Sequence, residues 1–242
     1  MRFDASRALV VYSAALTGVL IWMLLSGARA PQTGQLDTID VHRINVREDD
    51  GTIRLIIASR GRFPGIIVHN QERPRPDRAD VAGMIFLDDE GTENGGLIFL
   101  GKKVAGKVTS GGHLSFDQYD QDQVINLEHT EEGGTRWGGL TVADYPDTPI
   151  DYDLPQRLSK MSPAEREATI AKLRDSGAFG QPRLFVGKSK DRDAVVALRD
   201  GAGKVRLRMR VTTAGVATIE FLDAAGKVVR TDTASGSSQP QH

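Results

Sequence analysis

Residues 110–119 read SGGHLSFDQY, and on an extended strand His113, Ser115, Asp117 and Tyr119 share one face. A serine, a histidine and a carboxylate on one face are the ingredients of nucleophilic catalysis. Their spacing works against it. Side chains two apart on a strand stand about 6.5–7 Å from each other, whereas catalytic partners must lie within about 3 Å. A single strand supplies no triad unless it bends, and no G-x-S-x-G elbow or S-x-x-K motif is present to bend it. The simpler expectation is an amphipathic strand with Leu114 and Phe116 toward the core and the polar residues toward solvent.

Asp120 and Asp122 enlarge the set, because glycoside hydrolysis needs two carboxyls about 5–9 Å apart. Few aromatic platforms accompany them: Phe116, Tyr119 and Trp137 are the aromatics between positions 101 and 144. Catalysis therefore requires His113 to meet Asp117, Asp120 or Asp122 from different strands in a closed cleft. A binding surface requires only that Glu93, Asn94, His113, Asp117 and Tyr119 be displayed together.

Other chemistries are narrower. The chain has no cysteine, which excludes disulfides, thiolate nucleophiles and Cys-ligated metals. Its five histidines lack ligand spacing, and H-E-x-x-H is absent. Calcium is the one cofactor left open, because Asp88, Asp89, Glu90 and Glu93 place oxygen ligands round a glycine turn, although they miss the EF-hand pattern. Gly95-Gly96 and Gly111-Gly112 match no nucleotide-binding loop. With 31 Lys+Arg against 32 Asp+Glu, net charge gives no reason to expect nucleic acid. The distribution is uneven, however. Residues 79–135 hold eleven acids and three lysines, so the rest of the chain is net basic.

These residues must be positioned by β-structure. From position 41 onward, alternating apolar runs meet at turns closed by Gly51, Gly91, Gly133, Gly203 and Gly226, each preceded by an acidic residue. Asp bonds its own backbone two residues on, and Gly supplies the positive φ of a tight turn, so each unit predicts a β-hairpin. The unequal later spacing argues against a propeller and for an antiparallel meander or sandwich. In residues 204–211, Val205, Leu207, Met209 and Val211 alternate with four cations. That pattern predicts a half-buried strand whose cations pair with acids such as Glu220 on a neighbouring strand rather than with phosphates. Ser162-Pro163-Ala164-Glu165 is a capping box that opens one short helical insertion.

Residues 8–28 carry no charge, enough for a helix to span a bilayer, with Arg2 and Arg7 before them. The run exceeds a signal-peptide core, which favours an uncleaved anchor, although small residues at 26–30 would suit a cleavage site. The organisation expected is an anchor over 1–30, a polar stem over 31–40, a β domain over 41–153 and a helical insertion over 154–177. Last strands over 178–231 and a disordered tail over 232–242 complete it. The fold class is mainly β, with a single N-terminal transmembrane helix. The expected location is the cell membrane with the N-terminus cytoplasmic and the bulk extracytoplasmic (periplasmic in a Gram-negative cell, or secreted if the leader is cleaved). The expected function is a binding or envelope-structural module with a protein or envelope partner. A tethered hydrolase and a calcium-stabilised adhesion module are the alternatives.

Overall fold

The computed structural model describes residues 5–27, 36–234 and 236–238. It divides into two units, residues 1–40 and 41–242. In the first, α1 (Ala5–Gly27) holds a 19-residue stretch, Ser6–Leu24, long and apolar enough to cross a membrane. The expected stem lies outside the described residues over 31–35.

The second unit is mainly β and antiparallel. Its first strands are β1 (Arg43–Arg47), β2 (Ile53–Ala58), β3 (Ile66–Val68), β4 (Gln71–Arg73) and β5 (Ala82–Leu87). The longest follow: β6 (Glu93–Val104), β7 (Lys107–Asp117), β8 (Gln123–Glu132) and β9 (Thr135–Asp144). After the insertion come β10 (Gln181–Lys188), β11 (Ala194–Arg199), β12 (Val205–Val211), β13 (Ala217–Leu222), β14 (Val228–Thr233) and β15 (Gly236–Ser238). Apart from the small β3–β4 hairpin, they form one 13-stranded meander in chain order. The tail expected to be disordered thus supplies β15, with Thr231 and Thr233 opposite Ser238 and Gly236, while 235 and 239–242 lie outside the described residues.

The expected turn chemistry is present. All five hairpin glycines have positive φ. Asp88, Asp200 and Asp223 each accept from the backbone N–H two and four residues on, at 2.8–3.1 Å. Ser189 opens the same turn with Arg192 in the left-handed position. That turn carries no glycine and was not legible as one.

The segment from position 59 to 81 crosses one face of the sheet, called here the inner face. Its β3–β4 hairpin covers Ile56, Ile85 and Leu87, and Ile67 packs among them, each 4% exposed or less. The tip, His69-Asn70, is left-handed at both residues and docks on the β5–β6 turn. Asn70 N–H donates to the Gly91 carbonyl (2.9 Å), and Asn70 Oδ1 accepts from Ile53 N–H (3.1 Å). A Cβ on Gly91 would stand 2.4 Å from Asn70 Oδ1, at φ +72. Gly91→Ala is therefore expected to cost about 2–3 kcal/mol, a left-handed penalty plus an undocked hairpin tip, measurable by urea unfolding.

On β7 the orientation expected from the sequence is reversed. Ser115 is 2% exposed and Phe116 is 49% exposed, so the polar side of β7 is the covered one and Leu114 and Phe116 face outward. The cause is the crossing segment, packed on β2, β5 and β6, together with the linker after β9, which is bonded to the β7–β8 turn and brings Tyr145 and Tyr152 near Asp117 and Asp122. The same reversal holds in the second half of β12, while in its first half Arg206 is exposed and Val205 and Leu207 are half-buried. Met209 and Val211 are 45% and 47% exposed, while Arg208 turns inward to Glu220 (Nε–Oε2 2.6 Å), itself 7% exposed. Arg210 reaches Glu220 and Asp193 at 3.6 and 3.9 Å, so the cations do pair with neighbouring acids.

The outer face is apolar strand after strand. One register row runs Ile44, Ile57, Met84, Leu97, Leu114 and Leu127 from β1 to β8. It continues through Leu140, Val186, Val196, Met209 and Ile219 on β9 to β13. The row two residues away runs from Val46 to Phe221 and is apolar throughout, with Gly95 its one residue lacking a side chain.

The expected single helical insertion is two helices, α2 (Leu154–Ser159) and α3 (Pro163–Asp175). Ser162 and Glu165 close the capping box at α3, the Ser162 N–H donating to Glu165 Oε2 at 3.0 Å.

Candidate functional site

Two β-bulges aim carboxylates at the inner face. On β6 the register shifts between Phe86 and Leu87, leaving Asn94 as the extra residue and placing Glu93 opposite Leu87. On β8 it shifts beside Asp117, which pairs with Gln123 and leaves Val124 extra. A bulge bends its strand and re-aims the side chains around it. The crossing segment contributes Arg78, from a 3₁₀ turn over Pro76–Arg78. Its guanidinium grips Glu93 at both oxygens (2.6 and 3.0 Å) and the Gly65 carbonyl (2.9 Å), with only 14% and 11% of the two side chains exposed.

Asp117 sits beside this pair. Burial, reinforced by the negative charges of Glu93 and Asp122 and only partly offset by Arg78, pushes its carboxyl up to about 7. Its Oδ1 is buried with no hydrogen-bond partner, as is Oδ1 of Asn126 on the adjacent strand. His113 lies opposite Glu128 on β8. Burial lowers the imidazole pKa, against the upward pull of Glu128. His113 makes no hydrogen bond to a carboxylate among the described residues, so catalytic reach is not met.

The linker after β9 roofs the cluster. The turn between β7 and β8 holds it: Ile150 N–H donates to the Asp120 carbonyl (2.7 Å), and Gln121 and Gln118 amides donate to the Thr148 and Pro146 carbonyls (2.8 and 3.1 Å). This clamp brings Tyr145 and Tyr152 over the acids. Both phenols are pushed up to about 12, by burial first and then by Asp122 on Tyr145 and Asp120 on Tyr152. Between linker, insertion and crossing segment lies a cavity of about 770 Å³, with Asp122, Tyr145, Tyr152 and Phe179 in its wall. That is the size of a small-molecule site.

The cavity wall carries three arginines (Arg73, Arg75, Arg157) and three aspartates (Asp77, Asp122, Asp151), but their pairing is uneven because Arg73 is taken by Asp153 from outside the wall. Arg73 pairs with Asp153 (3.1 Å), Arg75 with Asp77 (3.3 Å) and Arg157 with Asp151. Asp122 has no cationic partner among the described residues; its Oδ1 accepts only the Gln123 N–H, at 2.9 Å. The arrangement can hold a cation or a donor-rich group, with carboxylates for charge and aromatic faces for cation–π contact.

The sequence candidates divide. Glu93, His113, Ser115, Asp117 and Asp122 come together on the inner side. Asn94 is exposed at its bulge, Asp120 occupies a left-handed turn position (φ 52), and Tyr119 is 61% exposed, its phenol pKa raised by a hydrogen bond to Glu90. The four calcium candidates do not converge. Asp88 caps its own turn, Asp89 pairs with Arg54, Glu90 lies 4.0 Å from His69, and Glu93 holds Arg78. No group of three or more His, Asp or Glu suited to a metal occurs among the described residues. Sequence reasoning missed Arg78, Asn126, Glu128, Tyr145 and Tyr152. The alternation Asn126, Glu128, Thr130 on β8 was the available signal for a polar inner face; nothing local marks Arg78 or the tyrosines. No protein-family model matches the chain, and no curated protein matches it in sequence.

Proposed function

We propose that the chain is a single-pass membrane protein, N-terminus cytoplasmic, whose extracytoplasmic β domain is a binding module. Its ligand is a small organic cation, taken into the cavity beside Asp122, Tyr145 and Tyr152. The observation that carries this reading is the residual charge. Each arginine of the cavity wall is matched by an aspartate, which leaves Asp122, with Asp117 behind it, as carboxylates without a cation. The anchor rests on the length and apolarity of α1, and the orientation on the arginines before it.

Thermal unfolding of the detergent-solubilised full chain tests the ligand, with putrescine, choline and ethanolamine as probes and glycerol as the neutral control. A saturable rise in Tm with at least one amine, absent with glycerol and lost in Asp122→Asn, is expected. Equal shifts with glycerol, or amine shifts that survive Asp122→Asn, would sink the reading. The tethered-hydrolase alternative is favoured by one observation, the Asp117 carboxyl near 7, a value suited to a general acid. It predicts turnover of an activated ester or glycoside that is lost in Asp117→Asn.

A further inference from the structure

The outer face of the sheet plays no part in the ligand site, and its composition is unlike an ordinary solvent face. Two adjacent register rows are apolar across eleven successive strands, β1 to β13 without the β3–β4 hairpin. Eleven side chains of the two rows are 36–54% exposed, Leu127 most of all, Phe99 beside them is 55% exposed, and the other large side chains of the rows are half-buried. Together they present on the order of 1,000 Å² of apolar surface, against the few hundred that a monomer ordinarily shows and the roughly 800 Å² per partner of a standard interface.

We infer that this face is a homodimer interface, on which a second copy of the chain packs sheet against sheet. Three features select that occupant. The first is area: two such faces bury about 2,000 Å², within the range of stable homodimers. The second is charge. From β1 to β13 neither row contains a charged residue. Charge begins only at β14, where Arg230 and Asp232 neutralise each other at 2.6 Å. A two-fold interface sets a patch against itself, which an uncharged band tolerates and a charged one does not. The third is height. Two rows span only about 7 Å along the strands, and, while β6 to β9 have 12, 11, 10 and 10 residues, β10 to β13 have only 8, 6, 7 and 6. A membrane-crossing barrel needs strands of about 9–11 residues and an apolar belt about 25 Å tall. A second sheet stacked about 10 Å away covers a band of this height completely.

The native chain lacks cysteine, so each single-cysteine variant carries one thiol. Full-length Leu127→Cys, Val186→Cys and Met209→Cys, treated in membranes with a short bis-maleimide, should give a product of twice the chain mass from at least one position. Glu128→Cys, on the inner face, should give none. Light scattering of the purified full chain at micromolar concentration should report a dimer, and Leu127→Glu/Met209→Glu should weaken it at least about tenfold with the cation-induced Tm shift unchanged. Three outcomes overturn the proposal: a monomeric wild type without cross-links, a dimer that survives both glutamates, or outer-face thiols shielded by lipid vesicles while the protein stays monomeric. A failed amine response alone bears on the ligand site and leaves this interface standing.

Discussion

Replacing Arg78 with methionine should lower the unfolding free energy by about 3 kcal/mol, the largest loss expected from any single change in the polar cluster. The reason lies in what stays behind. Glu93 is only 11% exposed and has both oxygens on the guanidinium. Without it, a carboxylate remains in a covered site beside Asp117 and Asp122, and the Gly65 carbonyl loses its donor as well. The pair as a whole is worth much less than this, because two desolvated charges largely offset their own attraction. Removing both should therefore recover most of the loss. Arg78→Met/Glu93→Met is expected within about 1–1.5 kcal/mol of wild type, a coupling energy that a double-mutant cycle in urea reads directly. A single-variant loss below about 1 kcal/mol, or a double variant no better than Arg78→Met alone, would show that the pair neither holds the crossing segment nor screens the acids.

Arg78 also marks the limit of what the sequence discloses. Turn chemistry is local, so the Asp and Gly signals at Gly51, Gly91, Gly133, Gly203 and Gly226 located five hairpins, and the capping box at Ser162 located α3. Period-2 alternation likewise separated Leu114 and Phe116 from His113, Ser115 and Asp117. It could not say which side is covered. Alternation is symmetric between faces, and the deciding elements are the crossing segment and the linker after β9, remote in sequence from β7. The customary assumption that the apolar side turns inward therefore fails for β7, and it fails for the second half of β12, where Arg208 and Arg210 turn to the buried Glu220. The cluster itself depends on two bulges and a hydrogen-bonded linker. None of these leaves a pattern in a single strand, which is why Glu93, Asp117 and Asp122 appeared as a plain acidic stretch and Tyr145 and Tyr152 did not appear at all.

Asp117 carries the second large effect, with the opposite sign. Its carboxyl titrates at about 7 in the folded chain and near 3.9 when unfolded. Between those values the native state binds one proton more than the unfolded state, so this group's contribution to stability falls as pH rises from about 4 to 7 and is constant beyond. The difference between the two states makes this contribution about 2–3 kcal/mol. Asp117→Asn removes the titration while keeping the shape. It should match wild type within about 0.5 kcal/mol at pH 4 and exceed it by about 2–3 at pH 8. A gap independent of pH in urea unfolding would mean that Asp117 is not held neutral by its surroundings. The same linkage reaches the ligand. A bound amine adds the positive charge that Asp117 lacks, so binding should draw off its proton and tighten between pH 6 and 8. That pH dependence should vanish in Asp117→Asn while amine binding itself persists through Asp122. Affinity that is flat with pH in the wild type would place Asp117 outside the field of the ligand and leave Asp122 to hold it alone.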